Sequence, residues 1–241
     1  MTRSATSFGP AAIVSTTPIL RQEPVALALL DLIGSIEAPG GYNQRYAEPS
    51  KGPFKYNLIG MTLAEVIGLP ANKPKGRVAS TASGRYQFLS TTLRGLKDQL
   101  GLSGRERFDP ALQDRLAYQL LLNRGYRQWI EGKIGDVAFG KKIAQEWASF
   151  PVLQRTQGAS RTIEAGQSYY SGDGTNKALV TPAQVREVLA TRRDPIPAPA
   201  DPVTPPEPPT RPEAPQAAPQ SYGSFVQLIR WLLRRLGLLS G

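Results

Sequence analysis

The chain contains no histidine and no cysteine. Without histidine there can be no Ser-His-Asp or Cys-His arrangement and no imidazole acid/base chemistry. Without cysteine there are no disulfides, no thiol nucleophile and no Cys/His zinc site. Carboxylates, hydroxyls, lysines, tyrosines and amides are left to do any chemistry. No run of about 18 or more uncharged apolar residues occurs, so an ordinary membrane span is not expected. Residues 1 to 24 also lack the basic start, apolar centre and small-residue cleavage site of a signal peptide. Export, if it occurs, is expected by another route.

What is present is a basic chain of 241 residues, 40% hydrophobic, with a net charge of +10. It is long enough for one sizeable domain plus extra segments. The charge would suit any polyanion, nucleic acid or bacterial envelope alike. It is unevenly spread: 194–220 is net −3, 221–241 is net +3, and 1–193 carries a net +10.

The organising stretch runs from Leu29 to Gly41. Leu29, Leu32, Ile33 and Ile36 lie at i, i+3, i+4 and i+7, one face of a helix that Pro24 opens and Pro39-Gly40-Gly41 closes. Glu37 falls in its last turn. The negative helix end and apolar neighbours both oppose its charge, which should raise its pKa toward that of a general acid. The same placement also fits a surface glutamate that merely ends a helix.

Residues 1–22 read as a flexible leader, and Ala38 to Lys55 as loop. Tyr56 to Gly60 could form a strand. Thr62-Leu63-Ala64-Glu65 is a capping box, and Glu48 and Glu65 read as surface or capping carboxylates. Further helices are expected from Ser90, read as its N-cap, to Leu100, from Asp109-Pro110 to Asn123, from Tyr126 to Glu131, from Asp136, read as its cap, to Phe150, and from Thr181-Pro182 to Thr191. Trp129 and Trp147 read as core. Ser168 to Asn176 resembles part of a calcium loop but lacks its acidic ladder and closing glutamate, so no metal site is assigned. No cofactor is expected.

Between Ala79 and Leu89, small hydroxyl residues lead through Gly84 to Arg85-Tyr86-Gln87. An aromatic beside an amide suits sugar binding, the one stacking and the other hydrogen bonding. A turn entering a buried segment fits equally. Eleven of the 22 prolines lie within 194–220, which reads as an extended, disordered linker. In 221–241, Phe225, Leu228, Ile229, Leu232, Leu236 and Leu239 share one helical face, with Arg230 and Arg234 opposite. This cationic amphipathic helix is expected to contact an anionic membrane surface without spanning it.

Ser80-Thr81-Ala82-Ser83-Gly84-Arg85-Tyr86-Gln87-Phe88-Leu89-Ser90 closely resembles the signature of the phage lambda lysozyme family, which are peptidoglycan lytic transglycosylases. The similarity continues through Lys97–Leu102, Asp114, Arg124-Gly125 and Trp147-Ala148-Ser149-Phe150-Pro151, covering about residues 25 to 180. Ser35-Ile36-Glu37 matches the place of that family's catalytic glutamate, although here Ala38-Pro39 follows where Gly or Ser is usual.

The resemblance implies an α+β, mainly helical, two-lobed lysozyme-like domain over 23–193. It implies Glu37 as the catalytic acid. Tyr86 and Gln87, with Ser83 and Arg85 beside them, become candidate saccharide contacts. The implied reaction cleaves the MurNAc-GlcNAc β-1,4 bond to a 1,6-anhydromuramyl end. A hydrolytic lysozyme using Glu48 or Glu65, and a non-catalytic wall-binding or virion structural protein, are the alternatives. Bacterial peptidoglycan is the expected partner, a monomer the expected state and no specific nucleic acid is expected. With no N-terminal signal peptide expected, delivery to the periplasm or cell wall would be by phage lysis, a virion or a secretion system.

Overall fold

The computed structural model describes residues 23–193. The leader, the Pro-rich linker and the cationic C-terminal helix expected from the sequence lie outside the described residues.

Seven α-helices carry the fold among the described residues: α1 (Pro24–Glu37), α2 (Leu63–Gly68), α3 (Ser90–Gln99), α4 (Pro110–Asn123), α5 (Tyr126–Ile130), α6 (Asp136–Glu146) and α7 (Pro182–Ala190). Among the described residues the only strands are β1 (Thr156–Gln157) and β2 (Thr162–Ile163), an antiparallel pair with Thr156 opposite Ile163. The mainly helical architecture expected from the sequence is present. The β part shrinks to that pair and to isolated bridges such as Arg45 with Ser83 and Asn72 with Ser80.

Helix α1 is the axis. Pro24 sits in its first turn, where its missing N–H costs nothing. Val25, Ala26, Leu29, Leu30 and Ile33 are buried, while Leu32 and Ile36 are only partly so. The buried face is therefore turned relative to the periodic reading, because α1 packs against both α4 and α7 and must cover two neighbours. Burying a side chain such as Leu29 or Ile33 contributes roughly 2 kcal/mol.

The capping signals act as chemistry requires. Thr62 and Glu65 form a reciprocal capping box on α2, as do Thr181 and Gln184 on α7. Asp109 accepts from Leu112 N–H at the start of α4. Three expectations fail. Tyr56 to Gly60 forms no strand; Leu58–Gly60 is a 3-10 turn. Ser90 does not cap α3; its N–H donates to Thr81 Oγ1, so the cap comes from nine residues upstream. Asp136 does not cap α6 either, for its carboxylate accepts Trp129 Nε1–H at 2.8 Å.

Helix α6 also ends earlier than expected, at Glu146, with Trp147 already extended. The cause is tertiary. The Trp147 indole is buried against the signature segment and donates to the Tyr86 carbonyl. The chain after Trp147 becomes loop, and that loop builds the site.

Candidate active site

Glu37 is the last residue of α1, one position beyond the periodic reading. Its carboxylate is partly buried and accepts a short hydrogen bond from Ser149 Oγ–H. Burial pushes its pKa up from 4.5 to about 7, and the Ser149 hydrogen bond pulls it partly back. Desolvation destabilises the charged form, and a donor to the carboxylate stabilises it. The result is an acid that holds its proton near neutral pH and can still release it.

Ser149 is fixed from several sides. The buried Ser168 hydroxyl donates to the Ala148 carbonyl at 2.6 Å, and Leu179 N–H donates to the Ser149 carbonyl at 2.8 Å. Phe150 is fully buried next door. Such support matters because a proton donor acts only when held in position.

Beyond Glu37 the chain folds back on Gln44. Its Oε1 accepts Gly40 N–H at 2.7 Å and its Nε2 donates to the Glu48 carbonyl at 2.8 Å. The Gln44 carbonyl accepts Gly84 N–H and Gln87 Nε2–H. The loop after the acid is thereby joined to the Gly84–Gln87 signature.

The signature is locked from below by Gln113 on α4, which is 0% exposed. Its Oε1 accepts Arg85 N–H at 2.9 Å, and its Nε2 donates to the Phe108 and Tyr42 carbonyls. Gly84 has φ +78°, and a Cβ there would stand 3.0 Å from both Gln113 Cδ and Phe108. Glycine is required at this position on both grounds.

Four side chains were expected to meet the saccharide, and the structure distinguishes them. Tyr86 is 2% exposed; its ring packs edge-on to Phe88 and its hydroxyl donates to Asp114 Oδ1 at 2.6 Å. No face of it is open for stacking, so that expectation is corrected. Ser83 is 1% exposed, donates to the Thr81 carbonyl and accepts from Arg45 Nε–H. It is an internal tie, and a direct sugar contact is corrected for it as well.

Arg85 is partly buried, pairs with Asp31 at 2.9 Å and lies over the Tyr42 ring. Gln87 is partly exposed at φ +49°, with Nε2 engaged by the Gln44 and Gly84 carbonyls. Of the four, Arg85 and Gln87 remain at the surface.

Asp114 accepts from Tyr42 as well as from Tyr86, and burial pushes its pKa up. It anchors Tyr42, and so the loop that follows the acid.

The other two carboxylates serve their own backbone. Glu48 accepts Arg45 N–H and Lys55 N–H, one with each oxygen. Glu65 is exposed and accepts both the N–H and the hydroxyl of Thr62, which hold its pKa down. Asp173 caps a turn by accepting Thr175 and Asn176 N–H. Among the described residues, no three acidic side chains gather where they could hold a metal ion.

Sequence reasoning did not single out Ser149, Gln113 or Gln44. Ser149 was read inside a helix, and an amide in a leucine-rich helix gives no periodic signal. Only the Trp147–Pro151 similarity to the lambda lysozyme family touched Ser149.

Comparison with protein families finds a match to the family described as Endolysin, over residues 28–176. No curated protein and no solved structure matches the chain. The match takes in α1 from residue 28 through Glu37, the signature segment and the Ser149 loop.

Proposed function

The chain belongs to the endolysin family, enzymes that degrade bacterial peptidoglycan, and from that premise we propose a lytic transglycosylase in which Glu37 is acid and then base. The observation that carries this reading is the Glu37 carboxylate itself: desolvated, poised at about 7 and steadied by one hydroxyl.

In the first step Glu37 protonates the glycosidic oxygen between MurNAc and GlcNAc. The C1–O bond breaks with oxocarbenium character at C1. Glu37, now a carboxylate, accepts the proton of the C6 hydroxyl as that oxygen attacks C1 of its own ring. One bond to C1 breaks and one forms, and the proton returns to Glu37. An internal nucleophile requires no second carboxylate to hold water, and its effective concentration supplies much of the rate. Ser149 stabilises the carboxylate formed midway. The partly exposed Gln87 and Arg85 are the signature side chains left to orient the sugar.

A hydrolytic route through Glu48 or Glu65 has less support, because both carboxylates are engaged by local backbone N–H groups. Mass spectrometry of fragments released from purified peptidoglycan separates the routes. Anhydromuramyl ends are expected. Reducing ends one water heavier would overturn the transglycosylase assignment.

Delivery belongs to the same proposal. Among the described residues no helix is long and apolar enough to cross a membrane. The Arg-rich, apolar 221–241 segment has the composition to engage an anionic membrane surface, tethered by the Pro-rich 194–220 segment. The domain itself is proposed to act as a monomer.

A further inference from the structure

Residues 38–80 hold six Lys/Arg and two Glu, a net +4 in 43 residues, whereas the other 128 residues of 23–193 also total +4. Five of the six cations, Lys51, Lys55, Lys73, Lys75 and Arg77, are exposed. None of the five is ion-paired with a described residue. The sixth, Arg45, is 3% exposed, and its side chain meets only neutral groups: Ser83 Oγ, the Pro70 carbonyl at 2.7 Å and the Tyr56 ring. The two acids are engaged by backbone N–H groups, Glu48 by Arg45 and Lys55 and the exposed Glu65 by Thr62.

The five exposed cations come from two loops that meet on one short turn. Lys55 N–H donates to Glu48, anchoring the 51–55 loop. Asn72 Nδ2 donates to the Tyr46 carbonyl and Arg45 to the Pro70 carbonyl, anchoring the other loop, which the Asn72–Ser80 bridge closes around Lys73, Lys75 and Arg77. The turn from Gln44 to Glu48 is in turn tied to Gly40, three residues after Glu37, and to Gln87. Two unpaired basic loops are therefore fastened to the segment that leaves the catalytic acid.

Crowding like charges costs stability, so an exposed cluster with no internal counter-charge calls for an external anion. We propose that the Lys51/Lys55 and Lys73/Lys75/Arg77 loops bind the carboxylates of the peptide stems on peptidoglycan. The inference rests on the peptidoglycan reading and deepens it. Stem peptides hang from the very glycan strand that reaches Glu37, whereas wall or lipid phosphates have no fixed spacing from the scissile bond. Contact with stem carboxylates would hold the strand in register and favour peptide-bearing over naked glycan.

The test uses the full chain carrying Glu37→Gln, which leaves substrate undigested. Its binding is measured by co-sedimentation with intact sacculi and by calorimetric titration of the soluble glycan strands that remain once an amidase has removed the stems. Added Lys73→Gln, Lys75→Gln and Arg77→Gln should weaken binding to intact sacculi by about tenfold and leave binding to stripped glycan unchanged. The pair Lys51→Gln, Lys55→Gln should act in the same direction. All five positions are exposed, and an unchanged Tm checks that the fold is kept.

Equal losses on both substrates, or none on either, would overturn the proposal. So would a loss confined to lipopolysaccharide vesicles, which would assign the loops to phosphate. The parent reading is judged separately, by whether the wild-type chain cleaves stripped glycan at all.

Discussion

Arg85 lies across Gly34, one helical turn before the acid. A Cβ at position 34 would stand 2.7 Å from Arg85 Cγ and 3.0 Å from its Cδ. Glycine in mid-helix is a poor helix former. Here it opens the slot through which the guanidinium reaches Asp31 and the Tyr42 ring. Gly34→Ala gains helix propensity yet expels Arg85. Overpacking of this kind costs about 1–3 kcal/mol. A lower Tm together with reduced wall clearing is the expected result. A higher Tm would mean that Arg85 moves aside freely.

Replacing Glu37 by Gln should abolish release of glycan fragments with the fold intact. Retained activity would remove Glu37 from the mechanism.

The same variant has a signed effect on stability. In the folded chain Glu37 titrates at about 7, above its ordinary 4.5, so the fold holds a proton that the unfolded chain has lost between those values. The stability linked to that proton is fully present below about 4.5 and is lost as pH rises through about 7. Since the side chain is partly exposed, about 1–2 kcal/mol is a fair expectation. Glu37→Gln should match the wild type near pH 4.5 and exceed it in Tm near pH 8. Thermal melts at the two pH values read this directly.

Ser149→Ala removes the donor that pulls the Glu37 pKa down. The alkaline limb of the pH–rate profile should then move to higher pH, with kcat reduced because the carboxylate formed midway loses its partner. A merely structural serine would lower activity at every pH without moving the limb.

Gln113→Ala would leave Arg85 N–H and two carbonyls without their shared partner in the core. Each orphaned buried group costs about 1–3 kcal/mol, so this variant should be among the least stable. Asp114→Asn keeps an acceptor for Tyr42 and Tyr86 and should cost far less than Asp114→Ala. Urea unfolding ranks the three.

Truncation after residue 220 should leave digestion of purified wall unchanged and weaken lysis of intact Gram-negative cells. Equal potency on intact cells would remove the membrane role proposed for 221–241.

Much of the helical frame was legible because its signals are local. Pro24, the Thr62–Glu65 box, Asp109-Pro110 and Thr181-Pro182 act within four residues of themselves. Glu37 was legible for a similar reason: an acid followed by Pro and two glycines at the end of an apolar helix must sit at its terminus. Ser90 and Asp136 misled because each looked like a cap, while the competing partners, Thr81 and Trp129, lie nine and seven residues upstream, beyond the reach of a cap pattern. Tyr86 misled because an aromatic beside an amide reads the same whether it stacks on sugar or fills a core.

The sequence alone determined which chemistry was open, where the helices begin and which carboxylate stands at the end of the central one. Only the tertiary structure decided that Ser149 meets that carboxylate, that Tyr86 and Ser83 face inward, and that two basic loops are fastened to the Gln44–Glu48 turn. Caps and periodicity are short-range constraints. The hydrogen bond from Ser149 to Glu37 closes a loop of more than a hundred residues, and nothing local in the sequence records it.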